Sequence, residues 1–180
     1  MATTIDGLHY HANYITEEDE IDLLQKIDAQ KWDTSLKRRV QHYGRRYDYN
    51  SGSIAEELET PIFVSQIAGV LVYEEHFDDV PNQCIVNEYL PGQGISAHTD
   101  HTKQFGDTVA SLSLGSACIM TFTRDDRSTD IWLERRSLVV LTGDARYLWK
   151  HSITGRKSDV HNGEKMMRDR RVSMTFRSVV

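Results

Sequence analysis

The chain has 180 residues, 39% of them hydrophobic and 27% charged, and its formal net charge at pH 7 is −6. This length and composition are typical of one folded domain with a substantial core, and they exclude an intrinsically disordered chain. The acidic balance argues against a protein that coats nucleic acid without specificity.

Two helices are predicted in residues 1–80, which form the helical N-terminal part of the predicted single domain, residues 1–180. The first helix has Thr16 as its N-cap and runs to about Gln30. The second opens with Thr60 at the N-cap and Pro61 at the first helical position. The apolar residues that give the first helix its buried face are Ile21, Leu24 and Ile27.

The segment between these helices interleaves basic and aromatic side chains over residues 36–49. Attraction to phosphate combined with stacking on bases is how proteins hold flipped or single-stranded nucleotides. We therefore predict that this segment contacts a nucleic acid, either DNA or RNA; a loop whose charges simply face solvent is the alternative. The predicted contact residues are Arg39, His42 and Tyr43.

The remainder of the chain, residues 81–180, is rich in short β-type runs separated by glycine-containing turns. Many short strands at such spacing favour a barrel or a jelly roll. We predict an α+β fold in which a jelly-roll core follows the N-terminal helices. The predicted strands are residues 83–89, 95–98, 108–114, 117–123, 137–142, 146–151 and 170–179.

His98 and Asp100 form a His-x-Asp triplet whose two side chains share one face of an extended segment. One further histidine would complete a set of two histidines and one carboxylate, which leaves positions on a non-haem iron open for substrate and oxygen. The same triplet occurs at His76 and Asp78, in an acidic stretch typical of a solvated loop. We favour the triplet at His98 because it follows a strand-like run and a glycine-rich turn.

His151 is the best candidate for the second histidine, because it ends an aromatic, strand-like run. A single histidine in that setting is more often an ordinary core or surface residue. The nearby His101 would project to the opposite face of a strand from Asp100, so we interpret it as a loop or substrate-side residue. The predicted metal ligands, which are also the predicted catalytic residues, are His98, Asp100 and His151.

The last predicted strand alternates apolar and polar residues between Arg171 and Arg177. Its polar side chains, two arginines and two hydroxyl residues, therefore lie on one face. Such a face suits a small dicarboxylate, because a guanidinium can donate two parallel hydrogen bonds to a carboxylate. An edge strand whose polar face lies in water is the alternative.

Six short motifs follow one another between residues 83 and 178: Asn87-x-Tyr89, Pro91-Gly92-x-Gly94-Ile95, His98-x-Asp100, Ser111-Leu112-Ser113-Leu114-Gly115, Gly143-x-Ala145-x-x-x-Trp149-x-His151 and Arg171-x-Ser173-x-Thr175-Phe176-Arg177. This series resembles the AlkB family of Fe(II)- and 2-oxoglutarate-dependent dioxygenases. The resemblance implies a double-stranded β-helix (jelly-roll) core and a nucleotide-recognition lid at about residues 36–50. It also implies Fe(II) as the cofactor, 2-oxoglutarate and O2 as cosubstrates, and iron ligation by the three residues named above.

By the same resemblance, Arg171 would pair with the distal carboxylate of 2-oxoglutarate. Ser173 stands where the family often has asparagine. Thr102 is a predicted substrate contact that occupies a position where base-demethylating members often carry an acid, which could contact an exocyclic amino group. The residues expected to line the 2-oxoglutarate site beside Arg171 are Asn87, Tyr89, Ser173 and Arg177.

The first hypothesis that the resemblance implies is oxidative demethylation of N-alkylated bases in DNA or RNA, with hydroxylation of the alkyl group and release of formaldehyde. Parts of the chain are also similar to the AlkB-like domain of the tRNA wobble-uridine hydroxylases, which hydroxylates a carbon and releases no formaldehyde. A third hypothesis is a non-catalytic jelly-roll binding protein, because a fold alone does not determine a function.

The start of the chain lacks the pattern of a signal peptide, and no apolar run approaches the length of a membrane span. Cys84 and Cys118 are far apart in strand-forming segments, so we expect two buried thiols rather than a disulfide. These features predict an intracellular monomer without a membrane partner, either cytoplasmic or, in a eukaryote, nuclear.

Overall fold

The computed structural model describes residues 4–35, 37–48 and 53–180, and the side chains at 47, 48 and 53–56 are outside that description. Residues 36, 49 and 50 of the predicted lid therefore lie outside the described residues. The helices of the described part are α1 (Glu17–Asp28), α2 (Ile62–Tyr73) and the short α3 (Gly143–Tyr147).

The strands form three sheets, and their bounds follow in chain order. The first six are β1 (Leu8–His11), β2 (Val40–Asp48), β3 (Ser53–Leu58), β4 (Gln83–Tyr89), β5 (Ile95–His98) and β6 (Phe105–Gly115). The others are β7 (Cys118–Arg124), β8 (Arg127–Leu133), β9 (Leu138–Leu141), β10 (Lys150–Ile153), β11 (Ser158–His161), β12 (Glu164–Met167) and β13 (Arg171–Val179).

A seven-stranded sheet and a four-stranded sheet make up the jelly-roll core, so the predicted α+β fold with a jelly-roll core is confirmed. The larger sheet has the order β1-β9-β6-β13-β4-β2-β3, and the smaller one has the order β5-β10-β7-β8. All pairings are antiparallel. The hairpin of β11 and β12 forms a separate two-stranded sheet.

Strand β13 lies in the middle of the larger sheet, between β4 and β6. The alternation predicted from sequence is present, but the edge-strand alternative is wrong. The apolar residues Val172, Met174 and Phe176 are fully buried in the core beneath α1 and α2. The polar residues between them face the space between the two sheets. The sheet therefore separates a helix-covered core from a polar interior cavity.

Helix α1 is fastened to this sheet by a buried carboxylate. Thr16 and Asp19 form a capping box at its first turn, as the N-cap prediction expected. Glu20 is 0% exposed and accepts a hydrogen bond of 2.8 Å from the backbone N–H of Gly115, at the end of β6. The guanidinium of Arg135 also donates to Glu20, with Nε at 2.9 Å from Oε2.

We expect Glu20→Ala to lower the free energy of unfolding by about 2–4 kcal/mol, because it leaves a buried N–H and a guanidinium without their acceptor. Asp22→Ala is the matched control on the same helix, since Asp22 pairs with Lys26 at the surface and such pairs contribute about 0.5 kcal/mol or less. Urea denaturation of both variants measures the difference. Equal losses in the two would contradict the role given to Glu20.

Three sequence predictions of secondary structure need correction. The N-terminal part is not purely helical, because β1, β2 and β3 lie within it and join the larger sheet. The predicted strand at residues 146–151 is wrong, because α3 precedes β10, which begins at Lys150. The second helix starts one residue later than predicted, since Pro61 has extended backbone and is itself the N-cap.

The cysteine prediction is confirmed, because Cys84 and Cys118 are both buried free thiols. Burial raises the pKa of the Cys84 thiol well above its ordinary value, so this group stays protonated.

Across the described part of the chain, no helix has the length and apolar character needed to cross a membrane.

Candidate active site

The three predicted metal ligands converge between the two sheets. Strand β10 pairs with β5 so that His151 lies directly opposite His98, with ring centroids 4.4 Å apart. Asp100 follows β5 by two residues and is 6% exposed. One ligand atom from each residue lies within 4.8 Å of the others. Such a set of two imidazoles and a carboxylate fits a redox-active iron and leaves positions open.

The ring nitrogens indicate how the histidines could bind. Nδ1 of His98 lies 2.8 Å from the carbonyl oxygen of Ser96, which leaves Nε2 as the free lone pair when Nδ1 carries the proton. Nε2 of His151 faces Asp100, at 3.6 Å from Oδ2. Burial lowers the pKa of His151 to about 4, against the opposing effect of Asp100. His151 is therefore neutral at physiological pH, as a metal ligand must be.

Asp100 divides its two oxygens between different partners. Oδ1 forms an ion pair with Arg177, at 2.6 Å from its Nη2, and Oδ2 is turned towards His151. Burial pushes the pKa of this carboxyl up, but Arg177 and the histidines outweigh it, so the pKa lies below its usual value. Asp100 is therefore ionised, with one oxygen available to a metal. Arg177, predicted from the resemblance to line the 2-oxoglutarate site, also holds this carboxylate.

The second His-x-Asp triplet lies elsewhere. His76 follows α2, with Nε2 at 3.5 Å from Oε2 of Glu74, and its ring packs edge-on against His11 with centroids 4.9 Å apart. Asp78 is exposed. Within the described part of the chain, the cluster with metal-ligand spacing is the one at His98. The structure thus brings the favoured triplet, and not the second one, together with a further histidine.

An inner cavity of about 60 Å³ lies beside the three candidate ligands, between the two sheets. Strands β4 and β13 supply its polar wall, since Asn87 faces Ser173 and Tyr89 faces Arg171 across the pairing. Its polar lining residues are Asn87, Tyr89, His98, Asp100, Ser111, His151, Arg171, Ser173, Thr175 and Arg177. All the residues predicted to line the 2-oxoglutarate site are thus brought together.

Arg171 is the buried cation of this cavity and is 3% exposed. Its Nη2 donates to the hydroxyl of Ser113 at 2.9 Å, and its guanidinium carbon lies 5.3 Å from the centroid of the Tyr89 ring. Its Nε has no hydrogen-bond partner among the described residues. A buried guanidinium that keeps a donor unpaired is suited to receive a carboxylate.

An outer cleft of about 350 Å³ opens on the same ligands from the solvent side. It shares Asn87, His98, Asp100 and Arg177 with the inner cavity, so the two spaces meet at the candidate metal centre. The other lining residues of the outer cleft are Arg38, Val40, His42, Ile85, Ile95, Thr99 and His101. Two residues that the sequence indicated as candidate substrate-side residues, His42 and His101, thus line this cleft.

Three of the predicted substrate contacts lie away from the outer cleft. Tyr43 is 8% exposed and packs in the core with Phe63, because successive residues of β2 face opposite sides of the sheet. Its hydroxyl donates to Gln41. Arg39 points to the other side of the lid, where Nη2 donates to Glu88 at 2.8 Å. Thr102 is exposed in a turn and is outside the lining of the cleft.

Two arginines near the candidate site were not predicted from the sequence. Arg38 lines the outer cleft, donates from Nε to Oδ1 of Asn87 at 2.9 Å, and lies over the Tyr89 ring at 5.5 Å. Arg38 and His42 lie on the same face of an extended segment because they are separated by an even number of positions, and this alternation could have identified Arg38. Arg146 is 2% exposed and donates to the backbone of the loop after Asp100. No sequence pattern indicated this contact.

Comparison with known proteins supports these observations. A family model described as the 2OG-Fe(II) oxygenase superfamily matches residues 10–177. The protein L905 of Acanthamoeba polyphaga mimivirus is 35% identical over 186 residues, which cover 99% of this chain and 88% of that protein. The solved structure of OsALKBH1 is 20% identical, covers 99% of each chain and superimposes with a TM-score of 0.72, which indicates a shared fold.

The tRNA (carboxymethyluridine(34)-5-O)-methyltransferase ALKBH8 of Mus musculus is 36% identical over 201 residues, which cover 96% of this chain. The chain spans only 30% of the length of that protein. The similarity therefore relates the chain to one part of ALKBH8.

Proposed function

Because the chain belongs to the 2OG-Fe(II) oxygenase superfamily, and is thus a dioxygenase that uses Fe(II), 2-oxoglutarate and O2, we propose that it oxidises an alkyl group carried by a nucleobase in a nucleic acid. The observation that carries this proposal is the outer cleft, which joins the lid segment to the candidate metal centre. The relatives of this chain in the ALKBH group are consistent with a nucleic-acid substrate.

In this proposal, His98, Asp100 and His151 hold the iron. Bound iron and 2-oxoglutarate supply the oxidation, in which O2 and 2-oxoglutarate are consumed, succinate and CO2 leave, and one oxygen atom enters a substrate C–H bond. Arg177 keeps the carboxylate of Asp100 ionised and oriented. The buried histidine His151 stays neutral, so no proton competes with the metal for its ring nitrogen.

The distal carboxylate of 2-oxoglutarate is proposed to lie on Arg171, which lines the inner cavity. Arg171 is buried, keeps an unpaired Nε, and stacks on Tyr89. The hydroxyls of Ser173 and Thr175 lie on the same strand face and offer further donors. Asn87, which pairs with Ser173 across the two strands, lines both this cavity and the outer cleft.

The outer cleft favours a base that presents carbonyl groups. Arg38, His42 and Arg177 are donors there, whereas the carboxylate of Asp100 is engaged and Oδ1 of Asn87 accepts from Arg38. Among the described residues that line the cleft, no carboxylate is left to accept from an exocyclic amino group. We therefore propose a uracil-type base rather than a methylated adenine or cytosine, the bases that the first hypothesis included.

Two reactions on such a base follow from the same oxidation. A C5 substituent of uridine would gain one oxygen and keep it, and the name of the ALKBH8 relative refers to a carboxymethyluridine in tRNA. An N3-methyl group would become N-hydroxymethyl and collapse to formaldehyde and a free N–H. We propose the first as the main reaction, because the ALKBH8 relative is 36% identical over 96% of the chain.

Mass spectrometry of nucleosides after aerobic incubation with Fe(II) and 2-oxoglutarate tests the proposal. The substrates are bulk tRNA and single-stranded oligonucleotides that carry N3-methyluracil, N1-methyladenine or N3-methylcytosine. One oxygen gained on a tRNA uridine, without formaldehyde, is the expected result. Methyl loss confined to the adenine and cytosine oligonucleotides would contradict the proposed base class. No change in any substrate, despite succinate formation, would contradict a nucleobase substrate.

A further inference from the structure

The structure fixes the three candidate ligands by different means. His98 and His151 belong to paired strands, so the ladder between β5 and β10 determines their spacing. Asp100 lies two residues beyond the end of β5, outside any strand. Its position therefore depends on contacts other than the sheet ladder.

Arg146 supplies such contacts to the loop that begins at Asp100. It projects from α3, which lies between β9 and β10 in the chain, and is 2% exposed. Nη1 donates to the carbonyl oxygen of Asp100 at 2.9 Å, and Nε donates to that of Gly106 at 3.1 Å. Nη2 donates to the carbonyl oxygens of His101 at 3.3 Å and Phe105 at 3.1 Å.

This arrangement uses the planar fork of the guanidinium. Its donors point outward in fixed directions, so the four carbonyl oxygens around Arg146 must take matching positions. Burial lowers the pKa of Arg146 from its ordinary value, and the nearby carboxylate of Asp100 opposes that effect. The backbone from Asp100 to Gly106 is therefore held in place by one buried cation, Arg146.

We propose that Arg146 is a positioning residue for the metal centre, which holds the backbone of Asp100 so that its carboxylate meets the two histidines. The inference rests on the proposed function only in taking these residues as metal ligands. The same loop carries His101, which lines the outer cleft. Arg146 thus fixes both the metal-binding carboxylate of Asp100 and the substrate-side residue His101. It does so from α3, which directly precedes the strand that carries His151.

The chain offers a matched control in Arg168, which is 9% exposed and donates three side-chain hydrogen bonds. Its Nε and Nη2 donate to the buried Asp159 at 2.6 and 2.9 Å, and Nη1 donates to the carbonyl oxygen of Thr154 at 2.7 Å. These contacts join the β11–β12 hairpin to Thr154, which follows β10, and none of them reaches the loop at Asp100. Loss of Arg168 should destabilise the protein without reaching the metal centre.

The experiment measures the Kd of Mn(II), used as a redox-inert probe, in the wild type and in the variants R146M, R146K and R168M. Each variant is held well below its own melting temperature. We expect R146M to raise the Kd about 10–100-fold, and R146K to raise it less because the lysine ammonium keeps the charge and can still donate hydrogen bonds. We expect R168M to leave the Kd within about twofold of the wild type despite a lower Tm, since it acts outside the metal centre.

The outcomes separate this inference from the proposed function. If the wild type does not bind Mn(II), or if Asp100→Ala binds it equally well, the assignment of the metal centre itself is wrong. If the wild type binds and Asp100→Ala does not, the centre stands, and an unchanged Kd in R146K and R146M overturns the role of Arg146 alone. An equal rise in R168M would also overturn it, because general destabilisation would explain both. If R146M does not fold, R146K and R168M decide.

Discussion

Replacing Asp100 with alanine is expected to abolish binding of Fe(II) and all turnover of 2-oxoglutarate, while the protein still folds. Asp100 is the only carboxylate of the cluster within the described residues that has metal-ligand spacing, and two neutral imidazoles alone bind a divalent metal weakly. The jelly-roll core does not depend on this side chain, which lies outside the strands. Metal titration and circular dichroism together measure the effect.

The control for this prediction is Asp78→Ala. It removes the carboxylate of the second His-x-Asp triplet, which lies after α2 and is exposed. Metal binding and turnover should then equal those of the wild type. Retained turnover in Asp100→Ala, or its loss in Asp78→Ala, would mean that the wrong triplet has been assigned to the metal centre.

Replacing Arg171 with methionine is expected to raise the Kd of 2-oxoglutarate roughly 100-fold, since two charge-assisted hydrogen bonds to a carboxylate contribute about 3 kcal/mol or more. Methionine keeps much of the volume of the side chain, so the cavity wall remains filled. Affinity for Mn(II) should stay close to that of the wild type, because Arg171 is not among the candidate ligands. Titration of Mn(II) into the protein measures the first affinity, and titration of 2-oxoglutarate into the Mn(II)-loaded protein measures the second.

Arg170→Met is the adjacent control. Arg170 faces the other side of β13, where its Nε donates to Glu88 and its Nη2 donates to Asp28, both at 2.6 Å. This substitution should weaken the contact between β13 and α1 without changing the affinity for 2-oxoglutarate. Similar affinities in the Arg170 and Arg171 variants would rule out Arg171 as the carboxylate anchor.

The sequence was sufficient to select the residues that converge as candidate metal ligands and to predict the polar face of β13. In both cases the information is local, since a His-x-Asp triplet and a period-2 alternation each place side chains on one face of an extended segment. The position of β13 at the centre of the sheet was not predictable in this way. It depends on the pairing of β13 with β4 and β6, which are separated from it by many residues.

The lid shows where local reasoning failed. The basic and aromatic composition of this segment pointed to nucleic-acid contact, but composition does not say which residues of a strand face the cleft. Tyr43 fills the core against Phe63, and Arg39 pairs with Glu88, while Arg38 and His42 line the cleft. Treating the segment as a strand from the outset would have assigned alternate residues to the two sides.

The buried arginine Arg146 could not have been identified from sequence at all. Arginine is rarely found at 2% exposure, and its partners are backbone carbonyl groups of a loop about 40 residues earlier in the chain. Backbone acceptors leave no trace in residue type. Such contacts become visible only once the tertiary structure brings α3 against the loop after Asp100.

The most direct test of the central claim is a crystal structure of the protein grown without oxygen in the presence of Mn(II) and 2-oxoglutarate. The account predicts Mn(II) bound by His98, Asp100 and His151, with the distal carboxylate of 2-oxoglutarate on Arg171 inside the inner cavity. A metal at any other residues, or 2-oxoglutarate bound in the outer cleft with the inner cavity empty, would contradict it.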